Sequence, residues 1–414
     1  MHARVAATGE AAALRVPLKW ERVFAVTLMV WLAESLVFLF TPTGPLISDM
    51  AAYWNTGTSE LHTHVLSTYW PPLYPLITIP FHHFGGPMAL GTAQTIIMAL
   101  AIPGIAWYLT RSAGKAAGAI FLASMAVFPI LLLYARFVLT DDWLVLALFG
   151  WVLCSEAAER SGRDWLFLAS GICLGIGAAI RPEPVAVGAL AVVWLLLRRR
   201  WRPALYTALP IAAEATGLAA YTRAAIGVTV STQGGFWQTL WQGNHPGAFG
   251  LYQTVAPSSA APAVFRHLFL TWLAAHPLRF VLLCLARTVE FWFSSPSYIQ
   301  LLAVYAHIVL WAWLPLAVLV TVASTVAFFV ALLRLHHEHR LVEVIWPLIG
   351  VLGNWWFCIP FLVGGRFRED AVPLALYVVA VAWAGARVQH PTSSGARRTI
   401  VVKERTGKPG AVAG

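Results

Sequence analysis

A carboxylate can take a proton from a hydroxyl, and an arginine can grip two oxygens of a phosphate with its planar fork. Both residue types recur along this chain beside apolar runs. Asp49 stands in LISDMAAYW. If that stretch is helical, Asp49 and Tyr53 share a face by their i, i+4 spacing. A helix start accounts for it equally well, with Ser48 as cap and Asp49 at the positive end of the dipole. Asp141 and Asp142 follow Thr140 in YARFVLTDDW, a segment that also carries Arg136. Thr140 can cap a helix there, and successive helical residues point about 100° apart, so one of the two acids at most faces a shared site. Arg181-Pro182-Glu183-Pro184 joins two apolar runs. Its prolines suit a first helical turn, and Arg181 either meets an anion or snorkels. Gly364-Gly365-Arg366-Phe367-Arg368, read as extended, projects both arginines to one side. Histidines are plentiful, but none has a diagnostic metal-binding spacing.

These residues need elements to hold them, and the composition says which kind. The 414 residues are 59% hydrophobic and 11% charged, with mean hydropathy +0.70; a water-soluble domain carries roughly 25% charged residues. Apolar runs of about twenty residues recur throughout, long enough to cross a hydrocarbon layer of about 30 Å. Helices satisfy their own backbone groups there. The expected fold is an all-α polytopic membrane protein of about ten transmembrane helices. The first runs from Phe24 to Phe40, behind Arg15, Lys19 and Arg22, and reads as an uncleaved span. The others fall near 88–110, 116–134, 143–158, 165–180, 184–197, 204–222, 312–333, 343–361 and 371–386. Outer loops over 41–87 and 223–311 are rich in aromatic residues and are expected to carry interfacial helices. Residues 1–386 then form a single transmembrane domain. Residues 387–414, basic and rich in Gly, Ser and Pro, read as a disordered cytoplasmic tail.

The basic residues orient this arrangement. Placing both termini in the cytoplasm leaves only Arg136, Arg181, Arg223, Arg266, Arg279, Arg287, Arg366 and Arg368, of 28 lysines and arginines, on the outer side. The net charge of +10 thus belongs to topology, and nucleic acid is not an expected partner. All four lysines, Lys19, Lys115, Lys403 and Lys408, fall inside, so every outer cation is an arginine. The four cysteines lie within apolar segments without zinc-type spacing and read as small core residues.

Taken in order, SDMAAYW, PPLYPL, YARF with TDD, RPEP, GNHP, HPLRF and GGRFRED resemble the GT-C superfamily of membrane glycosyltransferases. The likeness is to the bacterial relatives of protein O-mannosyltransferases and lipid A aminoarabinose transferases, and it covers most of residues 20–386. It implies a polyprenyl-phosphate sugar donor, an acceptor hydroxyl on a lipid, glycan or protein, and an active site at the non-cytoplasmic face of a bacterial inner membrane, among membrane lipids. It assigns the essential first-loop acid to Asp49 and the second acidic position to Asp141 or Asp142. Arg366 and Arg368 best match the donor-phosphate contacts, with Arg136 and Arg181 as further candidates. Tyr53, Tyr69, Glu183, Asn244 and His245 are expected to line the substrate site. Unlike in larger relatives, no further C-terminal domain is expected after the transmembrane domain. Trp70 stands before Pro71-Pro72, where aminoarabinose transferases carry a lysine, which leaves sugar and acceptor open.

A lipid phosphate leaves as a stable anion, so cations suffice to stabilise it. Asp49 would accept the acceptor's proton. Asp141 or Asp142 would orient the acceptor or share a divalent metal ion, the one cofactor these residues could hold. Single displacement with inversion follows from the want of a carboxylate nucleophile. The competing readings are a transporter or flippase of an anionic lipid, and an oligosaccharide polymerase or ligase.

Overall fold

Long apolar runs bounded by Gly and Pro fold as helices, because that conformation satisfies every backbone group without help from solvent. The computed structural model describes residues 19–43, 46, 48–67, 69–127, 129–227, 229, 235–247, 262–293, 310–361 and 370–384. In chain order the helices are α1 (Trp20–Phe40), α2 (Ser48–Thr63), α3 (Leu73–His83), α4 (Gly86–Ser112), α5 (Lys115–Val127), α6 (Ile130–Tyr134), α7 (Asp141–Ser161), α8 (Leu166–Ile180) and α9 (Glu183–Leu197). They continue with α10 (Trp201–Ile226), α11 (Phe236–Asn244), α12 (Pro262–Ala275), α13 (Pro277–Phe293), α14 (Leu310–His337), a 3-10 turn over Leu341–Val344, α15 (Ile345–Cys358) and α16 (Val372–Ala384).

The expectation of about ten transmembrane helices is corrected. Among the described residues four helices are long and apolar enough to cross a membrane: Trp20–Phe40, Gly86–Ser112, Val318–His337 and Leu341–Cys358. A fifth results if Ala263–Ala275 and Pro277–Phe293, bent by 102° at His276, count as one broken span. The reason is length. Lys115–Val127, Leu166–Ile180, Glu183–Leu197 and Val372–Ala384 are apolar but run only 13 to 15 residues, about 20–23 Å at 1.5 Å per residue. α7 reaches 21 residues but carries acids at both ends. The apolar runs are real, but turns cut them short: Pro129 ends one, and Gly162, in the left-handed region at φ 65°, closes α7. The interfacial helix expected within 223–311 is likewise two helices meeting at a sharp bend. The long apolar helices are consistent with partial association with a membrane. The tail over 387–414 lies outside the described residues.

α7, α8, α9 and α10 pack side by side, α15 lies on α9, and α16 lies against α5, α14 and α15. Small residues set the closest approaches, as in membrane helix pairs. A Cβ at Gly171 would stand 2.7 Å from the Thr207 carbonyl oxygen, joining α8 to α10. A Cβ at Gly353 would stand 2.7 Å from Cα of Val187, joining α15 to α9. Backbone is on the far side of both contacts, so neither gap can open by a rotamer change. Gly353→Ala is therefore expected to destabilise the fold by about 1–3 kcal/mol, read as a lowered midpoint in a thermal melt of the detergent-solubilised protein. An unchanged midpoint would mean that the two helices slide apart freely.

Candidate active site

The turn between α8 and α9 gathers the charges. Arg181 leaves α8 with extended backbone, its N–H still donating to the Gly177 carbonyl, and Pro182 starts α9 with Pro184 in its first turn. The Arg181 guanidinium then faces three carboxylates. Nη1 donates to Asp141 Oδ1 at 3.3 Å and to Asp370 Oδ2 at 2.8 Å, and Nη2 donates to Glu183 Oε1 at 2.5 Å. All four side chains are buried. Asp141 comes from the first turn of α7, and Asp370 from just before α16. Cys358, the last residue of α15, is within electrostatic reach of Arg181, Glu183 and Asp370.

Asp142 completes the cluster on different terms. It is 1% exposed, and neither carboxyl oxygen has a hydrogen-bond partner. Burial, then the neighbouring charges of Asp141 and Asp370, push its carboxyl well above the usual range. Thr140 precedes α7 without a side-chain cap bond, so the capping role expected of it is not taken up. An acid whose folded pKa is raised stabilises most below its unfolded value and loses that contribution as pH rises through the folded one. Asp142→Asn is accordingly expected to raise the melting temperature at neutral pH and to flatten its fall between acid and neutral. A variant that melts lower than wild type at neutral pH would show that the carboxylate form is the one the fold favours.

Asp49 belongs to α2. It is the second residue of α2 and partly exposed. One turn on, buried Tyr53 meets Trp70 at 4.7 Å and the edge of Tyr74 at 5.1 Å between ring centroids. Tyr69, 39% exposed, stands edge-on to Trp70. The segment that follows α2 is pinned: Ser67 N–H donates to Glu60 Oε1 at 2.6 Å and Leu66 N–H to the Tyr221 hydroxyl at 3.0 Å. Tyr74 donates to Gln94 Oε1 at 3.2 Å, and the Trp143 indole N–H reaches the same oxygen at 3.1 Å. Gln94 Nε2 donates to the carbonyls of Ala135 and Phe137 at 3.0 and 2.9 Å. Between those carbonyls sits Arg136, buried, its Nη1 donating to Thr92 Oγ1 at 3.3 Å. A single amide in α4 thus couples Tyr74 of α3, the Arg136 loop and the residue after Asp142.

The expected substrate residues divide. Asp141, Arg181 and Glu183 are brought together, with Asp142 beside them. Asn244 and His245 belong to another node. Asn244 Nδ2 donates to the carbonyls of Leu240 and Pro360, and its Oδ1 accepts from Arg287 Nη1 at 3.1 Å. Arg287, fully buried, also donates to the carbonyls of Ile359 and Gly243. His245 Nδ1 accepts from the Gly247 N–H, and burial with nearby Arg279 holds its pKa below the usual value. This node ties α11 and α13 to residues 359 and 360, directly after Cys358 at the acidic cluster. Arg366 and Arg368 lie outside the described residues. Among the described residues no group of three or more His, Cys, Asp or Glu is disposed to hold a metal ion.

The sequence reading missed three residues as parts of a site. Asp370 was legible only as one acid of GGRFRED. Gln94, a lone amide inside the apolar run GTAQTIIM, carried a usable signal, since such a group needs partners inside the protein. Arg287, in LARTVEF, carried the same signal.

Residues 71–223 match a family model described as dolichyl-phosphate-mannose-protein mannosyltransferase. The matched stretch is related to the broad GT-C-type glycosyltransferases and does not single out a subtype. It includes Arg136, Asp141, Asp142, Arg181 and Glu183, and leaves out Asp49 and Asp370. No curated protein and no solved structure matches the chain.

Proposed function

We propose that the protein transfers a sugar from a polyprenyl-phosphate donor to an acceptor hydroxyl at the non-cytoplasmic face of the membrane, with inversion at the sugar carbon. The observation that carries this reading is the convergence of Asp141, Glu183 and Asp370 on Arg181 within and beside the stretch related to a glycosyltransferase family. Asp49 is the base that accepts the hydroxyl proton as the oxygen attacks. The prenyl phosphate departs as an anion, so positive charge replaces a general acid. Arg136, Arg366 and Arg368 are assigned to that anion. Arg181 has a different part, because its guanidinium is committed to carboxylates: it fixes Asp141 and Glu183 so that they can hold sugar or acceptor hydroxyls. Tyr53, one turn on from Asp49, and Tyr69, across Trp70 from it, are assigned to the sugar or prenyl chain as aromatic faces.

The test is direct. Purified protein is incubated with prenyl-phosphate hexoses and pentoses, and free prenyl phosphate is followed together with glycosylated lipid or peptide. Release that depends on both donor and acceptor is expected. A protein that binds these donors but never cleaves them, with any acceptor offered, removes the transferase reading.

A further inference from the structure

The ends of α7, α8 and α9 that lie away from Arg181 hold a second collection of charges. α7 runs from Asp141 to Ser161, α8 returns toward Arg181 and α9 leaves it again. The turns over 161–165 and 198–202 therefore lie at the far end of these helices from the acidic cluster. Arg200 joins the two turns: its Nη1 donates to Glu159 Oε1 at 2.7 Å and its Nη2 to Asp164 Oδ1 at 3.0 Å. Glu159 and Asp164 are thereby spent. Arg163, Arg198, Arg199 and Arg202 are exposed and make no ion pair among the described residues. Among them stand Trp165, Leu197 and Trp201, each more than half exposed.

Helix chemistry does not account for these arginines. A cation is favoured at a helix C-terminus and disfavoured at an N-terminus. Arg198 caps the end of α9, but Arg202 is the second residue of α10, whose first turn holds no acid. Arg199 is held at greater cost. The Arg200 N–H donates to the Leu195 carbonyl at 2.9 Å and the Arg199 N–H to the Leu196 carbonyl at 2.8 Å, the closing turn that puts the residue after the C-cap in the left-handed region. Arg199 sits there at φ 58°, a conformation strained for any residue with a Cβ and ordinarily given to glycine. Gly162 and Gly227 supply it where α7 and α10 end. The chain bears the strain at Arg199 and gains an exposed guanidinium.

α4 sets the level of this patch. That helix is long and apolar enough to cross a membrane, and near its end Arg111 lies 4.6 Å over the exposed Trp107 ring. Beside that pair, the Tyr108 hydroxyl donates to Glu156 Oε2 at 3.1 Å, and Glu156 also accepts from Arg160 in the last turn of α7. The end of α4 and the arginine turns thus stand level, where an apolar span gives way to headgroups. The pairing of α4 repeats in the patch, with Arg198 5.6 Å over Trp194 and Arg202 5.1 Å over Trp201. Indoles favour the headgroup level, and guanidinium groups grip phosphate oxygens. We propose that Arg163, Arg198, Arg199 and Arg202, with Trp165 and Trp201, form a binding surface for the headgroups of anionic phospholipids, at the end of the helices opposite the acidic cluster. Exposed Leu197 and the apolar length of α4 favour a lipid over a soluble polyanion. The surface does not depend on the transferase reading.

Full-length protein in a neutral detergent is titrated with phosphatidylglycerol or phosphatidylcholine. Bound lipid is counted by native mass spectrometry, and the thermal midpoint is followed in parallel. Phosphatidylglycerol is expected to bind more tightly and to raise the midpoint, with a preference that shrinks as salt is added. Arg163→Gln, Arg198→Gln and Arg202→Gln should each weaken its binding by about fivefold, the attraction of one basic residue to an anionic lipid surface. Arg199→Gly separates binding from folding: it should melt higher than wild type in detergent alone, because the left-handed strain is relieved, and gain less from phosphatidylglycerol. Equal binding of the two lipids overturns the proposal, as does a preference that all four variants retain. Inorganic phosphate that stabilises as well as phosphatidylglycerol would mark a site for free anions and overturn it too. Arginine-dependent binding of an RNA oligonucleotide, with no preference between the lipids, would assign the patch to nucleic acid instead. None of these readouts requires that sugar be transferred, so failure of the transferase reading leaves them unchanged.

Discussion

Arg181→Met is expected to destabilise the folded protein by about 3–5 kcal/mol, the cost of leaving buried charges without their partner. Asp141, Glu183 and Asp370 each lose a bond to the same guanidinium, and none can turn to water from its buried position. Methionine fills the volume but supplies no donor. The measurement is the thermal or denaturant midpoint of the solubilised protein, followed by tryptophan fluorescence. Coupling sharpens the test: Asp370→Asn in the Arg181→Met background should recover part of the loss, because it removes one of the stranded charges. A single variant within about 1 kcal/mol of wild type, the range of surface ion pairs, would mean that the cluster hydrates and is not the closed clasp described above.

The second large effect concerns chemistry. Asp49→Asn is expected to lower sugar transfer by about 100-fold or more, the range over which a positioned general base accelerates proton removal. Expression and membrane insertion should be unchanged, since Asp49 is partly exposed at the start of α2. The amide keeps the size of the side chain and cannot accept the proton. Donor binding should persist, because the phosphate is assigned to arginines. Near-normal turnover by this variant with a defined donor would remove Asp49 from the mechanism.

Much of the helical layout was legible in the sequence. The apolar runs predicted at 165–180 and 184–197 appear as Leu166–Ile180 and Glu183–Leu197, because Arg181-Pro182-Glu183-Pro184 punctuates them with the residues that end one helix and begin another. The number of membrane crossings was not legible. Hydropathy registers an apolar run and not the 13 to 15 residues of it that stay helical. The site was half legible. Asp141, Arg181 and Glu183 advertise themselves as charges at the ends of apolar segments. Their meeting with Asp370 depends on how α7, α8, α9 and α16 pack, which no local pattern encodes. The partners of Gln94 were hidden for the same reason, since Tyr74, Trp143, Ala135 and Phe137 lie 20 to 49 residues away.

Asp370 stands 189 residues after Arg181. During synthesis the ribosome must deliver nearly all of the chain before the fourth acid arrives, so the guanidinium and its two earlier partners wait in an unfinished pocket while α10 to α15 emerge. Contacts of such long sequence separation form late. The nascent protein should therefore acquire protease resistance around α7 to α9 in one step, on release of residues near 370, and a stop codon placed just upstream should leave a product that quality control removes.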